Sequence, residues 1–99
     1  MLKIRKTEVF EHWLFSLKDR IAKRRILTRI DRLEMGNPGD TRSVGAPVVE
    51  LRIDHGPSYR IYYVQRGDVL VILLCGGDKS TQDLDIRSAH AMLSHLDME

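Results

Sequence analysis

One cysteine, Cys75, stands in a chain of 99 residues, so no disulfide forms within it, which is compatible with a reducing cytoplasm. It sits inside an apolar run and reads as a buried small hydrophobe rather than a catalytic thiol. There is no Cys-x-x-Cys, no His-Glu-x-x-His and no clustered carboxylate set, so a metal site has no support and no cofactor is expected. His12, His55, His90 and His95 show no ligand spacing within one element. Gly76-Gly77 completes neither a P-loop nor a dinucleotide motif. An apolar leader is missing at the N-terminus, and no run approaches bilayer-spanning length. The expectation is a cytoplasmic protein with no membrane partner. Internal repeats, linkers and low-complexity segments are also missing, which leaves one domain over residues 1–99 with a single modest core.

What is present is apolar enough to fold, at 42% hydrophobic residues. The formal net charge of +2 hides an asymmetry, because residues 1–35 carry ten Lys/Arg against five Asp/Glu while residues 36–99 carry six against nine. The first third is therefore a candidate for contact with nucleic acid or an acidic partner.

The chain is organised around the stretch from Val49 to Lys79. Val49-Glu50-Leu51-Arg52-Ile53 alternates apolar and polar residues, the period of a half-buried strand. A turn at Asp54-His55-Gly56-Pro57 leads to Ser58-Tyr59-Arg60-Ile61-Tyr62-Tyr63-Val64, rich in aromatic and β-branched residues. After Gln65-Arg66-Gly67-Asp68, the run Val69–Cys75 is apolar throughout and reads as a central strand covered on both faces. Three strands joined by short loops make an antiparallel meander. A turn centred on Gly56 places Arg52 opposite Arg60, a like-charged pair that costs a few tenths of a kcal/mol. The two arginines are either solvated on an exposed face or waiting for an anion, since their forks match phosphate oxygens.

Upstream, Leu2–Lys6 reads as a short strand and Thr7 as an N-cap followed by Glu8 and Glu11. Phe10, Trp13, Leu14, Leu17 and Ile21 recur at helical spacing. At Lys18-Asp19 the helix either breaks, with Asp19 capping a second one, or bends and continues. The second helical stretch buries Ala22, Ile26, Ile30 and Leu33. Its other face carries Lys18, Arg20, Lys23, Arg24, Arg25, Arg29 and Arg32, which is either a solvated helix face or a phosphate-tracking surface. Residues 41–44 read as a candidate edge strand. Downstream, Ser80 and Asp83 suggest a capping-box start to a last helix with Ile86, Ala89, Leu93 and Leu96 as its apolar stripe. His90 and His95 fall outside that stripe, toward solvent. The glycine pair at the end of the buried strand either admits a ligand close to the backbone or makes the turn.

The expected fold is α+β, with two N-terminal helices packed on one face of a largely antiparallel four-stranded sheet, plus a C-terminal helix. Helices on both faces of the meander would count against it.

Glu50-Leu51-Arg52-Ile53, Gly56-Pro57-Ser58-Tyr59-Arg60-Ile61-Tyr62-Tyr63 and Gly76-Gly77-Asp78-Lys79-Ser80-Thr81-Gln82 together resemble the RelE/ParE superfamily of toxins. The likeness is closest to its HigB-like branch of addiction module killer proteins, and it extends to Trp13-Leu14, Leu17-Lys18-Asp19-Arg20 and Asp85-Ile86. The resemblance implies a compact RelE-like fold and the toxin of a type II toxin–antitoxin module. The activity it implies is a ribosome-dependent, metal-independent mRNA endoribonuclease that arrests translation, with a cognate helix-turn-helix antitoxin and mRNA on the ribosome as partners. By the same likeness Arg60, Arg52 and Lys79 are the catalytic group, and the implied chemistry is attack of a ribose 2′-OH on its own 3′-phosphate. Lys18, Arg20, Lys23, Arg24, Tyr62 and His55 are the expected RNA-binding residues. Two positions depart from RelE itself: Glu50 stands where RelE has a basic residue, and Ile86 lies near its catalytic tyrosine. General acid and base stay open among His55, Tyr62 and Asp78. Two rival readings share the fold, a ParE-like inhibitor of DNA gyrase and an inactive antitoxin-binding member.

Overall fold

The computed structural model describes residues 1–97. The chain runs β1 (Lys3–Lys6), α1 (Glu8–Ser16), α2 (Arg20–Glu34), β2 (Thr41–Ser43), β3 (Val49–Ile53), β4 (Tyr59–Arg66), β5 (Leu70–Asp78), a 3₁₀ turn (Lys79–Thr81) and α3 (Gln82–Asp97). One mixed sheet holds all the described strands in the order β1-β5-β4-β3-β2. The meander β3-β4-β5 is antiparallel, β2 pairs antiparallel to β3, and β1 lies parallel to β5 at the far edge. The sheet thus has five strands where four were expected, because the candidate edge strand at 41–44 does pair.

Local chemistry explains the breaks between elements. Thr7 caps α1 by accepting the Phe10 amide at 3.0 Å, and its hydroxyl donates to the Leu74 carbonyl at 2.7 Å. That carbonyl belongs to a bulge in β5, where the pairing slips between Tyr62/Cys75 and Tyr63/Leu73. The helix breaks at Lys18-Asp19 instead of bending through it, and Asp19 accepts the amides of Ile21 and Ala22. The last helix starts differently from expectation. Asp78, not Ser80, caps the 3₁₀ turn by accepting the Ser80 amide at 2.8 Å, and α3 follows at Gln82.

The sheet separates two apolar clusters. On one face Phe10, Ala22, Ile26, Ile30 and Leu33 of α1 and α2 pack on Leu51, Ile53, Tyr59, Ile61, Tyr63, Val71 and Leu73. On the other, Ala89 and Leu93 of α3 pack on Tyr62, Val64, Ile72, Leu74 and Cys75. The two N-terminal helices share one face as expected, but α3 takes the opposite one, so helices do flank both faces of the meander. The reason lies in the strands: β5 is buried along both faces, and a bare second face would have left Tyr62, Val64, Ile72 and Leu74 in water. Ile21 departs from its expected place in the buried stripe and is 60% exposed, because the break at Asp19 restarts the helical phase.

Candidate active site

Strand register sets the site. Arg52 and Arg60 are direct partners across β3 and β4, and one step along, Glu50 pairs with Tyr62. On β2, Arg42 pairs with Glu50, and on β5, Gly77 pairs with Arg60. Alternation puts these side chains on the α3 face, beyond the N-terminal end of that helix.

Glu50 is the centre of the arrangement and is fully buried. Its Oε1 accepts Arg42 Nε at 3.0 Å, and its Oε2 accepts Tyr62 Oη at 3.0 Å and Gln82 Nε2 at 2.8 Å. Arg60 Nε stands 3.8 Å from Oε2, too far for a hydrogen bond. Burial alone would raise the carboxyl, but the bonds from Gln82, Arg42 and Tyr62 outweigh it and hold Glu50 below its ordinary value. Tyr62 responds in the opposite sense: burial, then the charge and bond of Glu50, push its phenol far above the usual range.

Arg60 is 7% exposed, which corrects the picture of a solvated arginine. Its Nη1 donates to the Ser58 carbonyl at 2.7 Å. Ser58 presents that carbonyl from a left-handed backbone, φ 65°, a conformation that costs a non-glycine residue roughly 1–2 kcal/mol. Arg52 is half-exposed and pairs through Nη2 with Asp40 Oδ1 at 2.9 Å. In both arginines the Nε is buried and has no hydrogen-bond partner. Such orphaned donors cost about 1–3 kcal/mol each unless a ligand satisfies them.

Lys79 is exposed at the start of the 3₁₀ turn, and its backbone amide reaches the Pro57 carbonyl at 3.3 Å, which sets it at the hairpin end of the sheet with Arg52 and Arg60. The two glycines make room for side chains rather than for a ligand. A Cβ on Gly76 would strike the Trp13 ring, and one on Gly77 would strike the Asp85 carboxylate on the Arg60 face. Asp85 accepts the Thr81 hydroxyl at 2.6 Å. Burial raises its pKa, the Thr81 bond opposes that, and the charge of Asp78 adds to the rise.

The other expected RNA contacts are not brought to this place. Tyr62 is sealed in the core with its hydroxyl on Glu50. Lys18 lies in the link before α2, and Arg20, Lys23 and Arg24 belong to the start of that helix, on the opposite side of the sheet, because Ala22, Ile26 and Ile30 dock against that face. Lys23 is engaged there, its Nζ 3.2 Å from the Phe15 carbonyl and 5.6 Å from the Phe15 ring centroid. His55 turns toward α2 and meets Asp19 Oδ2 at 3.1 Å. Asp78 is spent on its turn. His90, expected in solvent, is half-buried with Nε2 at 2.9 Å from the Val44 carbonyl. Sequence reasoning did not single out Arg42, Gln82 or Asp85 for the site. Arg42 had a signal in its pairing opposite Glu50, while Gln82 and Asp85 depend on where α3 lands.

The family described as "Phage derived protein Gp49-like (DUF891)" matches residues 12–92. A Haemophilus influenzae relative described as an uncharacterized protein is 50% identical over 95 residues, which is 96% of each chain. The matched span contains every residue of the site.

Proposed function

The chain belongs to the Gp49-like phage-derived family, a toxin-like family related to RelE/HigB-type addiction modules, and from that premise we propose that it is a HigB-like toxin that cuts mRNA on the ribosome in the cytoplasm. An antitoxin of helix-turn-helix type restrains it. The observation that carries this reading is the pair of arginines opposed across β3 and β4, Arg52 half-exposed, each with an Nε that makes no hydrogen bond. Two guanidinium groups side by side on facing strands suit a phosphate, whose oxygens accept charge-assisted bonds from both.

In the proposed reaction the ribose 2′-oxygen attacks the adjacent phosphorus. The new O2′–P bond forms as the P–O5′ bond breaks, giving a 2′,3′-cyclic phosphate and a 5′-hydroxyl end. The 2′-OH proton leaves to solvent and the departing 5′-oxygen takes one from solvent. Arg60 and Arg52 stabilise the charge that builds on the phosphoryl oxygens, and Lys79 adds a mobile positive charge at the rim. Glu50 is buried and fully engaged, so it positions and does not touch substrate. Tyr62 is engaged likewise and does not move the proton. The reaction is catalysed electrostatically, by donors fixed in place before the substrate arrives.

The test maps RNA ends after brief induction and assays DNA supercoiling beside it. Loss of one fixed donor costs on the order of 10²–10³ in rate, so Arg60→Ala should abolish cleavage and growth arrest, and Arg60→Lys should restore only part. Because Arg60 is buried, melting temperatures are measured with each variant. Intact mRNA with inhibited supercoiling, or full cleavage by a folded Arg60→Ala, would overturn the reading.

A further inference from the structure

We propose that Arg42 is a second phosphate contact, one nucleotide along from the Arg52–Arg60 pair, so that the site takes a single strand with at least two successive phosphates. This rests on the reading above and names the form of its substrate.

The spacing comes from the sheet. Arg52 and Glu50 lie two positions apart on β3, and Arg42 is the register partner of Glu50 on β2. Two steps along a strand cover roughly 6.7 Å and the neighbouring strand lies about 4.8 Å to the side, so Arg42 stands roughly 8 Å from Arg52 on the diagonal, a span that an arginine side chain can close to the next phosphate of an extended strand. The rows point the same way, since Arg42 Nε reaches Glu50 Oε1, and the other oxygen of that carboxylate faces Arg60 Nε. One buried carboxylate therefore stands between two arginines and sets the distance between them.

Accessibility differs along the row in the way a strand-binding track requires. Glu50 is fully buried, while the Arg42 side chain is 51% exposed at the sheet edge. Among the described residues Arg42 bonds to Glu50 alone, through Nε, so its Nη donors are not committed to another side chain. Arg52 is tied to Asp40, but both groups are substantially exposed, at 39% and 57%. An ion pair of that kind is weak and exchanges readily for a phosphate. A lone phosphate would fill the Arg52–Arg60 position and leave Arg42 idle. A strand with two phosphates occupies both rows.

The experiment measures binding of uncleavable 2′-O-methyl ribo-oligonucleotides at low salt, a dinucleotide with one phosphate and a trinucleotide with two. Wild type should bind the trinucleotide about tenfold more tightly, the scale of one charge-assisted contact. Arg42→Gln, which keeps a donor for Glu50 but carries no charge, should erase that preference and leave dinucleotide affinity unchanged. Arg42→Lys should keep most of it. On an eight-nucleotide strand, Arg42→Gln should flatten the slope of log affinity against log salt by about 0.7. A preference that survives in Arg42→Gln, or an equal loss on both oligonucleotides, would overturn the assignment while leaving the Arg52–Arg60 site standing. Failure of wild type to bind any of these strands would instead overturn the RNA reading itself.

Discussion

Replacing Glu50 tests the largest single commitment of the fold to its site. The carboxylate is fully buried and holds Arg42, Tyr62 and Gln82, with Arg60 beside it. Glu50→Ala would strand the Tyr62 hydroxyl and the Gln82 amide and leave a buried arginine without a countercharge. Breaking a buried pair in this way costs about 3–5 kcal/mol, a large share of the roughly 5–15 kcal/mol that holds a domain together. At about 4–8 °C per kcal/mol for a chain of this size, the melting temperature should fall by roughly 12–40 °C. Glu50→Gln keeps the shape and one acceptor, so its loss at neutral pH should be smaller, about 2 kcal/mol. The pH dependence separates charge from packing. Glu50 is held below its ordinary value of 4.5, so its contribution is fully present above that value and fades as pH drops through the lowered native value. The gap between wild type and Glu50→Gln, followed by circular dichroism melts, should hold above the ordinary value of 4.5 and narrow as pH drops below it. A gap that ignores pH, or a Glu50→Ala protein melting within a few degrees of wild type, would refute the network as a source of stability.

Asp85 carries the opposite sign, since burial raises its native pKa above 3.8; the native state then binds protons more readily than the unfolded one, and the ionised form is a cost at neutral pH. Asp85→Asn should therefore leave the melting temperature at pH 7 unchanged or raise it, with the benefit shrinking as pH falls. Gly77→Ala should lower stability by about 1–3 kcal/mol through overpacking, because the new methyl meets the Asp85 carboxylate; adding Asp85→Ala should recover part of the loss in a double-mutant cycle. The Cys75 thiol is pushed up to about 12 by burial and then by Asp85, so iodoacetamide should leave native protein unlabelled at pH 8 and label it once denatured.

Much of the backbone was legible from local pattern. The hairpin register followed from Gly56 alone, and the pairing of Arg52 with Arg60 is as that turn requires. Capping by Thr7 and the buried faces of both N-terminal helices were also readable, because they depend on neighbours a few residues away. The parallel seat of β1 was not, since strand periodicity says which face is buried and nothing about direction. Glu50 was hidden by its own alternation: in Val49-Glu50-Leu51-Arg52 it scans as a polar outward position, and only α3, arriving with Gln82, encloses it. His55 was hidden in the same way, as its partner Asp19 lies 36 positions away. For the glycine pair the sequence leaves two readings open, room for a ligand beside the backbone or a turn. The room exists, and Trp13 and Asp85 fill it.

The bond from Thr7 to Leu74 spans 67 positions, and it puts the chain's beginning under the control of its end. During synthesis at about 5–20 residues per second, β1 and α1 wait roughly 3–13 s before the strand that seats them exists. The hairpin carrying Arg52 and Arg60 is made earlier, yet Gly77, Gln82 and the covering helix come last. A nascent or prematurely ended chain thus has the arginines without the enclosure that fixes them. The Arg52–Arg60 hairpin therefore gains its enclosure only once β5 and the start of α3 have been made.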